Sequence, residues 1–294
     1  MKIIYYNILF LLVILVLLII NYIYNTNNTT DITDTCDTTD TTDTCDTCDT
    51  NNKKHNLAIL AIFKNETMNL DVWIKHYIWQ GVDHFYLIDN GSDDNPHLIL
   101  QKYIDQGIVT LYNLPQKHNQ VGHYKYVYEK ENLKENTKWL IMADLDEFWY
   151  CNSKNMKNEL NHYEKYHVIY SNWKMFGNDN LDKHPDDIRI SIVNREENLH
   201  VLTKWIIQTK YIDSDQLNIH VISNIEPTNS VNLSSIFKLN HYPIQSKEFF
   251  TKVKMTRGDV SSMNVEHIRD MKYFHDYNKN TTHEDTELKN LILN

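Results

Sequence analysis

The stretch that decides the fold is a short apolar run ending in acids, and it reads Trp139-Leu140-Ile141-Met142-Ala143-Asp144-Leu145-Asp146-Glu147-Phe148. An apolar run of this length, bounded by polar residues, is typical of a buried strand in a parallel sheet. Ligands of open α/β sheets bind beyond the carboxyl ends of the strands, where Asp144, Asp146 and Glu147 emerge. Crowded carboxylates repel one another unless a cation holds them, and hard oxygen ligands suit Mg²⁺ or Mn²⁺. The stretch therefore predicts a divalent-metal site that could bridge to a substrate diphosphate. The alternative, which a lone Asp-x-Asp would favour, is a solvated acidic turn.

The chain before this stretch alternates between apolar runs and amphipathic helices. Apolar runs at 57–63, 84–88 and 108–112 precede the one at 139–143. Helices are expected from Thr67 to Gly81, from Pro96 to Gly107 and around 123–133, and later strands near 167–173, 201–207 and 219–222. Strand–helix alternation with short links predicts an α/β fold, Rossmann-like, with a mostly parallel central sheet flanked by helices.

The N-terminal residues 1–24 are expected to form a transmembrane signal anchor. The segment 3–24 is apolar apart from two Asn and is long enough to cross a bilayer. No small-residue cleavage site follows it, so a removed signal peptide is not expected. Lys2 precedes the segment and no further Lys or Arg occurs until Lys53. The positive-inside rule therefore predicts a single-pass type II membrane protein, with the rest of the chain in the secretory lumen or outside the cell.

Residues 25–55 read as a low-complexity stem of Thr and Asp. Acid repels acid along this segment and it has little apolar surface to bury, so an extended spacer is expected. Three of the four cysteines, Cys36, Cys45 and Cys48, lie here, and they could join the stems of two chains by disulfides in an oxidising compartment. A zinc site at Cys45-x-x-Cys48 is the weaker alternative, because no second ligand pair follows at finger spacing.

Composition bounds what the remaining chain can do. Its 41% hydrophobic content is that of a folding chain, and residues 56–275 suffice for one large domain. The net charge of −10 includes seven Asp of the stem, and without them the balance of about −3 argues against a nucleic-acid-binding groove. Residues 276–294, rich in Asn, Lys and Thr, are expected to be a loosely ordered tail.

Taken in order, several short motifs resemble those of GT-A glycosyltransferases, specifically the family 92 and family 2-like group of membrane-anchored enzymes. They span about residues 55–260 in the order of that group. The motifs are Lys64-Asn65-Glu66, Trp73-Ile74-Lys75-His76-Tyr77, Gly81-Val82-Asp83-His84-Phe85, Asp89-Asn90-Gly91-Ser92-Asp93, Lys138-Trp139, Asp144-Leu145-Asp146-Glu147-Phe148, Trp173-Lys174-Met175-Phe176-Gly177 and Asn240-His241-Tyr242-Pro243-Ile244-Gln245-Ser246-Lys247. The resemblance implies a GT-A-type fold, a nucleotide-sugar donor and a glycan or glycoprotein acceptor.

The resemblance also implies a nucleotide shelf at the first two strand ends. The matching positions for the base and ribose are Glu66 and Asp89, with Asn65 and Asp93 as additional candidates. Carboxylates suit this task because uracil N–H and ribose hydroxyls are hydrogen-bond donors. The structural alternatives are a first-turn helix acid for Glu66 and a turn cap for Asp89.

Metal ligation and diphosphate binding are implied further along the chain. The resemblance places Asp144 at the ribose and metal, Asp146 at the metal and diphosphate, and His241 in the metal shell. A neutral imidazole is a sound ligand for Mn²⁺, although an ordinary half-buried histidine remains the alternative. Lys247, Lys252 and Arg257 follow His241, and one of them would meet the departing diphosphate, although Lys252 fits a solvated basic face better.

The group that removes the acceptor proton is the least determined by sequence. The resemblance implies an inverting enzyme, in which one carboxylate acts as the base. Asp179 is the candidate for that role and Glu147 an outside one, whereas Glu147 also fits a brace of the loop. Asn178-Asp179-Asn180 departs from the small residues that usually follow this Phe-Gly in the family, which leaves the acceptor open.

The expected function is metal-dependent transfer of a sugar, UDP-linked, to a glycan or glycoprotein. The first alternative is a membrane-tethered binding module that keeps the fold without activity. A nucleotidyltransferase would want a Gly-rich basic phosphate loop after the first strand, which Lys64-Asn65-Glu66 does not supply. A glycoside hydrolase needs neither metal nor nucleotide shelf.

Overall fold

The computed structural model describes residues 53–257 and 269–294. The predicted anchor at 1–24 and all but the last three residues of the predicted stem at 25–55 lie outside them. No helix of the described residues is both long and apolar enough to cross a membrane.

The first half is a parallel sheet with helical crossovers. In chain order it comprises β1 (His55–Phe63), α1 (Thr67–Trp79), β2 (His84–Asp89), α2 (His97–Asp105), β3 (Val109–Asn113), α3 (Gln120–Lys130), α4 (Leu133–Asn136) and β4 (Thr137–Met142). The strands lie in the order β3-β2-β1-β4, and each neighbouring pair is parallel. Gly81, with φ of +89°, follows α1 in a left-handed conformation that favours glycine. The α/β alternation read from the sequence is confirmed.

Strand β1 shows why this half folds as it does. Its side chains alternate between two hydrophobic clusters, with Leu57 and Ile59 in one and Ala58 and Leu60 in the other. Successive residues of a strand face opposite sides of the sheet, so an unbroken apolar run requires cover on both faces. Helix α1 supplies part of that cover through buried residues that include Trp73.

The second half adds antiparallel pairings to the sheet. It comprises β5 (Glu147–Tyr150), α5 (Met156–Leu160), β6 (Val168–Met175), α6 (Ile188–Ser191), β7 (Asn194–Arg195), β8 (Thr203–Gln208), β9 (Ser230–Asn232) and β10 (Lys238–His241). The sheet continues from β4 through β8, β6 and β10 to β5, and β9 pairs with β6. Strand β8 runs antiparallel to both β4 and β6. The sheet is therefore mixed, with a parallel half that carries the strand ends of interest.

One predicted strand is wrong. Residues 219–222 form a loop beside β8, and Thr203 holds it there through a hydrogen bond from its hydroxyl to the His220 carbonyl (2.9 Å). The apolar residues that suggested a strand differ in burial, since Ile222 is buried in the core while Val221 is exposed. Short apolar runs do not distinguish strands from packed loops.

The C-terminal segment is also more ordered than the sequence suggested. It comprises α7 (Lys247–Phe249), which leads into a π-helical turn (Phe250–Lys254), then α8 (Met271–Asn278), β11 (His283–Glu284) and α9 (Glu287–Leu293). Lys174 in β6 lies 2.9 Å from both Asp285 and Glu287, and Leu288 is buried. Polar composition alone suggested a loose tail, but its acids pair with buried cations of the sheet, which ties it to the domain.

Candidate functional site

A cavity of about 360 Å³ lies at the carboxyl ends of β1, β4, β6 and β10. Its wall combines residues of the parallel half with residues of β6, the loops around 202 and 219–220, and the C-terminal segment. The described residues that line it are Ile62, Phe63, Lys64, Glu66, Asn90, Gln120, Asp144, Leu145, Asp146, Trp173, Met175, Leu202, Ile219, His220, His241, Pro243, Lys254, Arg257, Arg269 and Tyr273. The position agrees with the rule that open α/β sheets bind ligands beyond their strand ends.

The acids after β4 are neutralised by lysines. The carboxylate of Asp144 lies 2.9 Å from Nζ of Lys204, whose side chain is fully buried in β8. The carboxylate of Asp146 lies 2.7 Å from Nζ of Lys254, in the π-helical turn. Crowded carboxylates need a positive charge beside them, and the sequence predicted a divalent metal in that place. In the structure, ammonium groups from two distant parts of the chain supply positive charge there.

His241 approaches Asp146 from β10. Its Nε2 lies 3.5 Å from Oδ1 of Asp146, and the Tyr242 amide donates a hydrogen bond to the Asp146 carbonyl (2.8 Å). Burial alone would raise the pKa of the Asp146 carboxyl, but Lys254 and His241 hold it well below its usual range. Asp146 is therefore an anion at neutral pH.

Glu147 braces the loop from beneath. Its side chain is fully buried, its Oε2 accepts a hydrogen bond from the Asp144 amide (2.9 Å), and its Oε1 lies 3.6 Å from Nζ of Lys204. Burial, together with the charges of Asp144 and Asp146, raises the pKa of Glu147 well above its usual range despite the attraction of Lys204. Glu147 fits the predicted role of brace, whereas a base must reach the substrate.

The described residues contain a group that could hold a divalent cation. Ligand atoms of Asp146, Glu147 and His241 all lie within 4.8 Å of one another. In addition, Nδ1 of His241 and Oε1 of Glu147 are buried without a hydrogen-bond partner among the described residues. An imidazole and two carboxylates suit Mn²⁺, so the residues present fit the expected metal. Asp144, which the resemblance also implied as a metal ligand, is not a member of this group, and its carboxylate faces Lys204.

Glu66, at the end of β1, lies in the same cavity. Its carboxylate pairs with Arg257, and it lies 3.6 Å from Nζ of Lys254. Lys254 thus bridges the two strand ends through Asp146 and Glu66. Of the four predicted shelf residues, Glu66 is the one that lines the cavity.

The other predicted shelf residues organise the turn after β2. Asp89 accepts a hydrogen bond from the Ser92 amide (2.8 Å), and Asn65 accepts one from the Asp93 amide (2.8 Å). Asn65 adopts a left-handed conformation, with φ of 56°. Asp89, Asn65 and the exposed Asp93 are not among the residues that line the cavity. From this turn, Asn90 lines it.

Two further predicted residues also lie apart from the cavity wall. Lys247 is exposed at the start of α7. Asp179 has a φ of 46°, and its carboxylate accepts hydrogen bonds from the amides of Val193 (2.6 Å) and Asn194 (3.2 Å). That arrangement clamps the two ends of a loop, and it occupies the carboxylate of the residue predicted as a base.

Sequence reasoning missed Lys204, Lys254 and His220. A lysine directly before the apolar run Trp205-Ile206-Ile207 is the signal that could have revealed Lys204, since a buried lysine requires an acidic partner. Nothing local distinguishes Lys254 from its exposed neighbour Lys252. His220 lies in the segment 219–222, whose apolar residues predict a strand.

Comparisons with known proteins agree with this picture. The sequence model of glycosyltransferase family 92 matches residues 58–292. A family 92 protein of Arabidopsis thaliana is 26% identical over 225 residues, and one of Ricinus communis is 27% identical over 106 residues. The matches cover 69% and 34% of this chain, and the chain spans 38% and 17% of the length of these relatives.

Solved structures match more loosely. The chain resembles residues 1–349 of S. aureus TarS at a TM-score of 0.41 and 14% identity, over 68% of this chain and 64% of that one. It resembles GalNAc-T7, solved with UDP, GalNAc and Mn²⁺, at a TM-score of 0.41 and 13% identity, over 64% and 43% of the two chains. The family match extends over most of the chain and includes every strand end that lines the cavity. The chain belongs to glycosyltransferase family 92.

Proposed function

We propose that this protein is a metal-dependent glycosyltransferase that moves a sugar from a UDP-sugar to a glycan or glycoprotein with inversion at the anomeric carbon. The observation that carries the proposal is the placement of Asp146 and His241 in one cavity with Lys254 and Arg257. Anionic ligands for a metal and cationic groups for a diphosphate are the two requirements of a nucleotide-sugar site. Family membership supports the same reaction class.

The residues of the cavity divide the task by their chemistry. Glu66 and Asn90 would meet the base and ribose, because they lie at the ends of β1 and β2 and offer oxygen acceptors. Lys254, Arg257 and Arg269 would meet the diphosphate, whose charge they match. Asp89, Asn65 and Asp93 would support this shelf through the turn that they hold, rather than touch the nucleotide.

Asp146 and His241 would hold Mn²⁺ or Mg²⁺, while Glu147 would brace the loop that carries Asp146. A bound divalent ion supplies charge neutralisation on the departing diphosphate. The ammonium of Lys254 contacts the carboxylate of Asp146, so it would have to move away from at least one carboxylate oxygen when a metal binds. A displaced Lys254 would remain beside the diphosphate.

The proposal includes the setting inferred from the sequence. A single N-terminal anchor would hold the domain in the secretory lumen or outside the cell, and stem cysteines would link two chains. These features rest on residues 1–52 and on their composition.

A second candidate is a nucleotide- or glycan-binding module without activity. The observation that favours it is the neutralisation of both Asp144 and Asp146 by buried lysines, which balances the charge of these acids without a metal. A catalytic site must instead exchange Lys254 for the metal.

The test is thermal unfolding of the full-length chain in mild detergent, with UDP, GDP or CMP, each with MnCl₂ or EDTA. Ligand that binds the folded state raises the unfolding temperature. We expect a Mn²⁺-dependent rise with UDP that is lost in Asp146→Asn and kept in the matched control Asp182→Asn, an exposed carboxylate outside the cavity. A UDP-induced rise that is insensitive to both EDTA and Asp146→Asn would instead support the binding module.

A further inference from the structure

This inference rests on the proposed transfer reaction and concerns the group that takes the proton from the acceptor hydroxyl. The two carboxylates predicted from the sequence do not line the cavity, since Glu147 lies beneath the loop and Asp179 clamps another one. Among the described residues, three carboxylates line the cavity: Glu66, Asp144 and Asp146. Each of them faces a lysine or an arginine. A general base needs a free lone pair that reaches the substrate.

His220 meets that requirement. The ring lines the cavity, and its Nδ1 lies 3.1 Å from the carbonyl oxygen of Thr203. A carbonyl oxygen can only accept, so Nδ1 carries the proton and Nε2 keeps its lone pair. Nε2 makes no hydrogen bond within the described part of the chain, and it is not among the polar atoms sealed from solvent there.

Several contacts fix the position of the His220 ring. Thr203 grips the His220 residue twice, because its hydroxyl also donates to the His220 carbonyl (2.9 Å). The next residue of β8, Lys204, holds Asp144 at 2.9 Å. One dipeptide of β8 therefore positions both the histidine and the first acid of the Asp-x-Asp. Trp173 packs against the ring edge-on at 5.2 Å, which further fixes its plane.

Electrostatics support the same role. Burial, and then the charge of Lys204, lower the pKa of His220, so the ring is neutral and can accept a proton at neutral pH. The Asp144 carboxylate acts in the opposite direction and would stabilise the imidazolium once it forms. His241, the other histidine of the wall, lies on Asp146 and is committed to the metal group.

We propose that His220 is the catalytic base, and that its Nε2 takes the proton from the acceptor hydroxyl during transfer. The acceptor oxygen forms a bond to the anomeric carbon while the bond from that carbon to the diphosphate oxygen breaks. The electron pair of the broken bond leaves with the nucleoside diphosphate. The imidazolium then returns its proton to water.

The experiment measures UDP release by the full-length chain with MnCl₂ and each of four donors: UDP-glucose, UDP-galactose, UDP-N-acetylglucosamine and UDP-N-acetylgalactosamine. Each donor is offered with water alone and with a panel of p-nitrophenyl glycosides as acceptors. The variants are His220→Gln, His220→Ala and the matched control His200→Gln, which also packs on Trp173 but does not line the cavity. UDP binding is measured in parallel by thermal unfolding.

Loss of a base costs about 10²-fold or more in turnover, so we expect His220→Gln and His220→Ala to lose that much turnover while they bind UDP like the wild type. His200→Gln is expected to turn over. Added imidazole should restore part of the activity of His220→Ala, which a purely structural role would not produce. Wild-type-like turnover in His220→Gln with intact UDP binding would overturn the role of His220 as base and leave the proposed function standing.

A second measurement tests the geometry without turnover. Nitrogen-15 NMR of the histidine rings reports which nitrogen carries the proton, with His220→Gln providing the assignment. We expect the Nδ1–H tautomer for His220 in the apo protein, and an Nε2–H tautomer would overturn the proposal. If the wild type neither binds UDP nor releases it from any donor, the proposed function itself fails, and the role of His220 fails with it.

Discussion

The ammonium of Lys254 lies 2.7 Å from the carboxylate of Asp146, and both side chains are about 95% buried. A second contact, of 3.6 Å, joins the same ammonium to Glu66, so one lysine links the ends of β1 and β4. A buried charge is tolerated only when it is paired. The site is therefore balanced by a cation of its own, and a metal that bound there would compete with it.

Removal of Lys254 should make the apo fold less stable and more dependent on metal. Lys254→Met leaves Asp146 buried with only His241 beside it, and breaking one side of a buried pair costs about 3–5 kcal/mol. We expect a lower free energy of unfolding in urea with EDTA, and a larger gain on addition of Mn²⁺ than in the wild type. The control is Lys252→Met, whose exposed ammonium pairs with Glu248 on the surface. An unchanged response of Lys254→Met to both EDTA and Mn²⁺ would count against a shared cation position.

Glu147 should matter as a brace rather than as a base. Glu147→Gln keeps an oxygen that can accept the Asp144 amide, whereas Glu147→Ala leaves that half-buried amide without its partner, at about 1–3 kcal/mol. We expect Glu147→Gln to retain UDP release and Glu147→Ala to lose stability in urea. A fall in turnover of about 10²-fold in Glu147→Gln, with UDP binding and stability intact, would reassign the base to this carboxyl.

Asp179 should contribute to stability through its clamp on Val193 and Asn194. Asp179→Ala removes the acceptor for two amides and leaves a non-glycine residue without a polar side chain at a φ of 46°, so unfolding should become easier by about 1–3 kcal/mol. Asp179→Asn tolerates that conformation and keeps one acceptor, so its loss should be smaller. Both variants should bind UDP. Selective loss of turnover in Asp179→Asn, without loss of stability, would contradict a structural role.

The C-terminal segment should make stability fall in acid. Burial opposes ionisation of Asp285, but Lys174 and Arg195 hold the pKa of its carboxyl below its usual range. A lowered folded-state pKa stabilises above the unfolded value of about 3.9, and this contribution is lost as the pH falls through the folded value. We expect Asp285→Asn to lower the free energy of unfolding at pH 7 and to flatten its decline below about pH 4.

Urea unfolding between pH 2.5 and pH 7 provides that measurement for Asp285→Asn. Asp215→Asn is the matched control, because Asp215 is exposed and should leave the pH profile as in the wild type. An unaltered acid slope in Asp285→Asn would mean that the tail contributes nothing through this pair.

Sequence patterns were sufficient for the parallel half of the fold. Unbroken apolar runs such as the one in β1 must be covered on both faces, and local periodicity with turn residues places the helices that cover them. The acids after β4 and Glu66 after β1 were located for the same reason, because parallel strand ends meet at one edge of the sheet. These arguments need only neighbours in the chain.

The rest depended on contacts between residues far apart in the sequence. The sequence by itself determined the strand–helix alternation and the acidic strand end, because each is written in a short local pattern, whereas His241 was implied only by the resemblance to the family. Only the tertiary structure decided that Lys204 and Lys254 neutralise the acids, that Glu147 and Asp179 hold loops, that His220 faces the cavity, and that the tail is anchored on Lys174. Pairing of buried charges is set by which elements pack together, and no local pattern records the partner of a lysine 60 or 108 residues away.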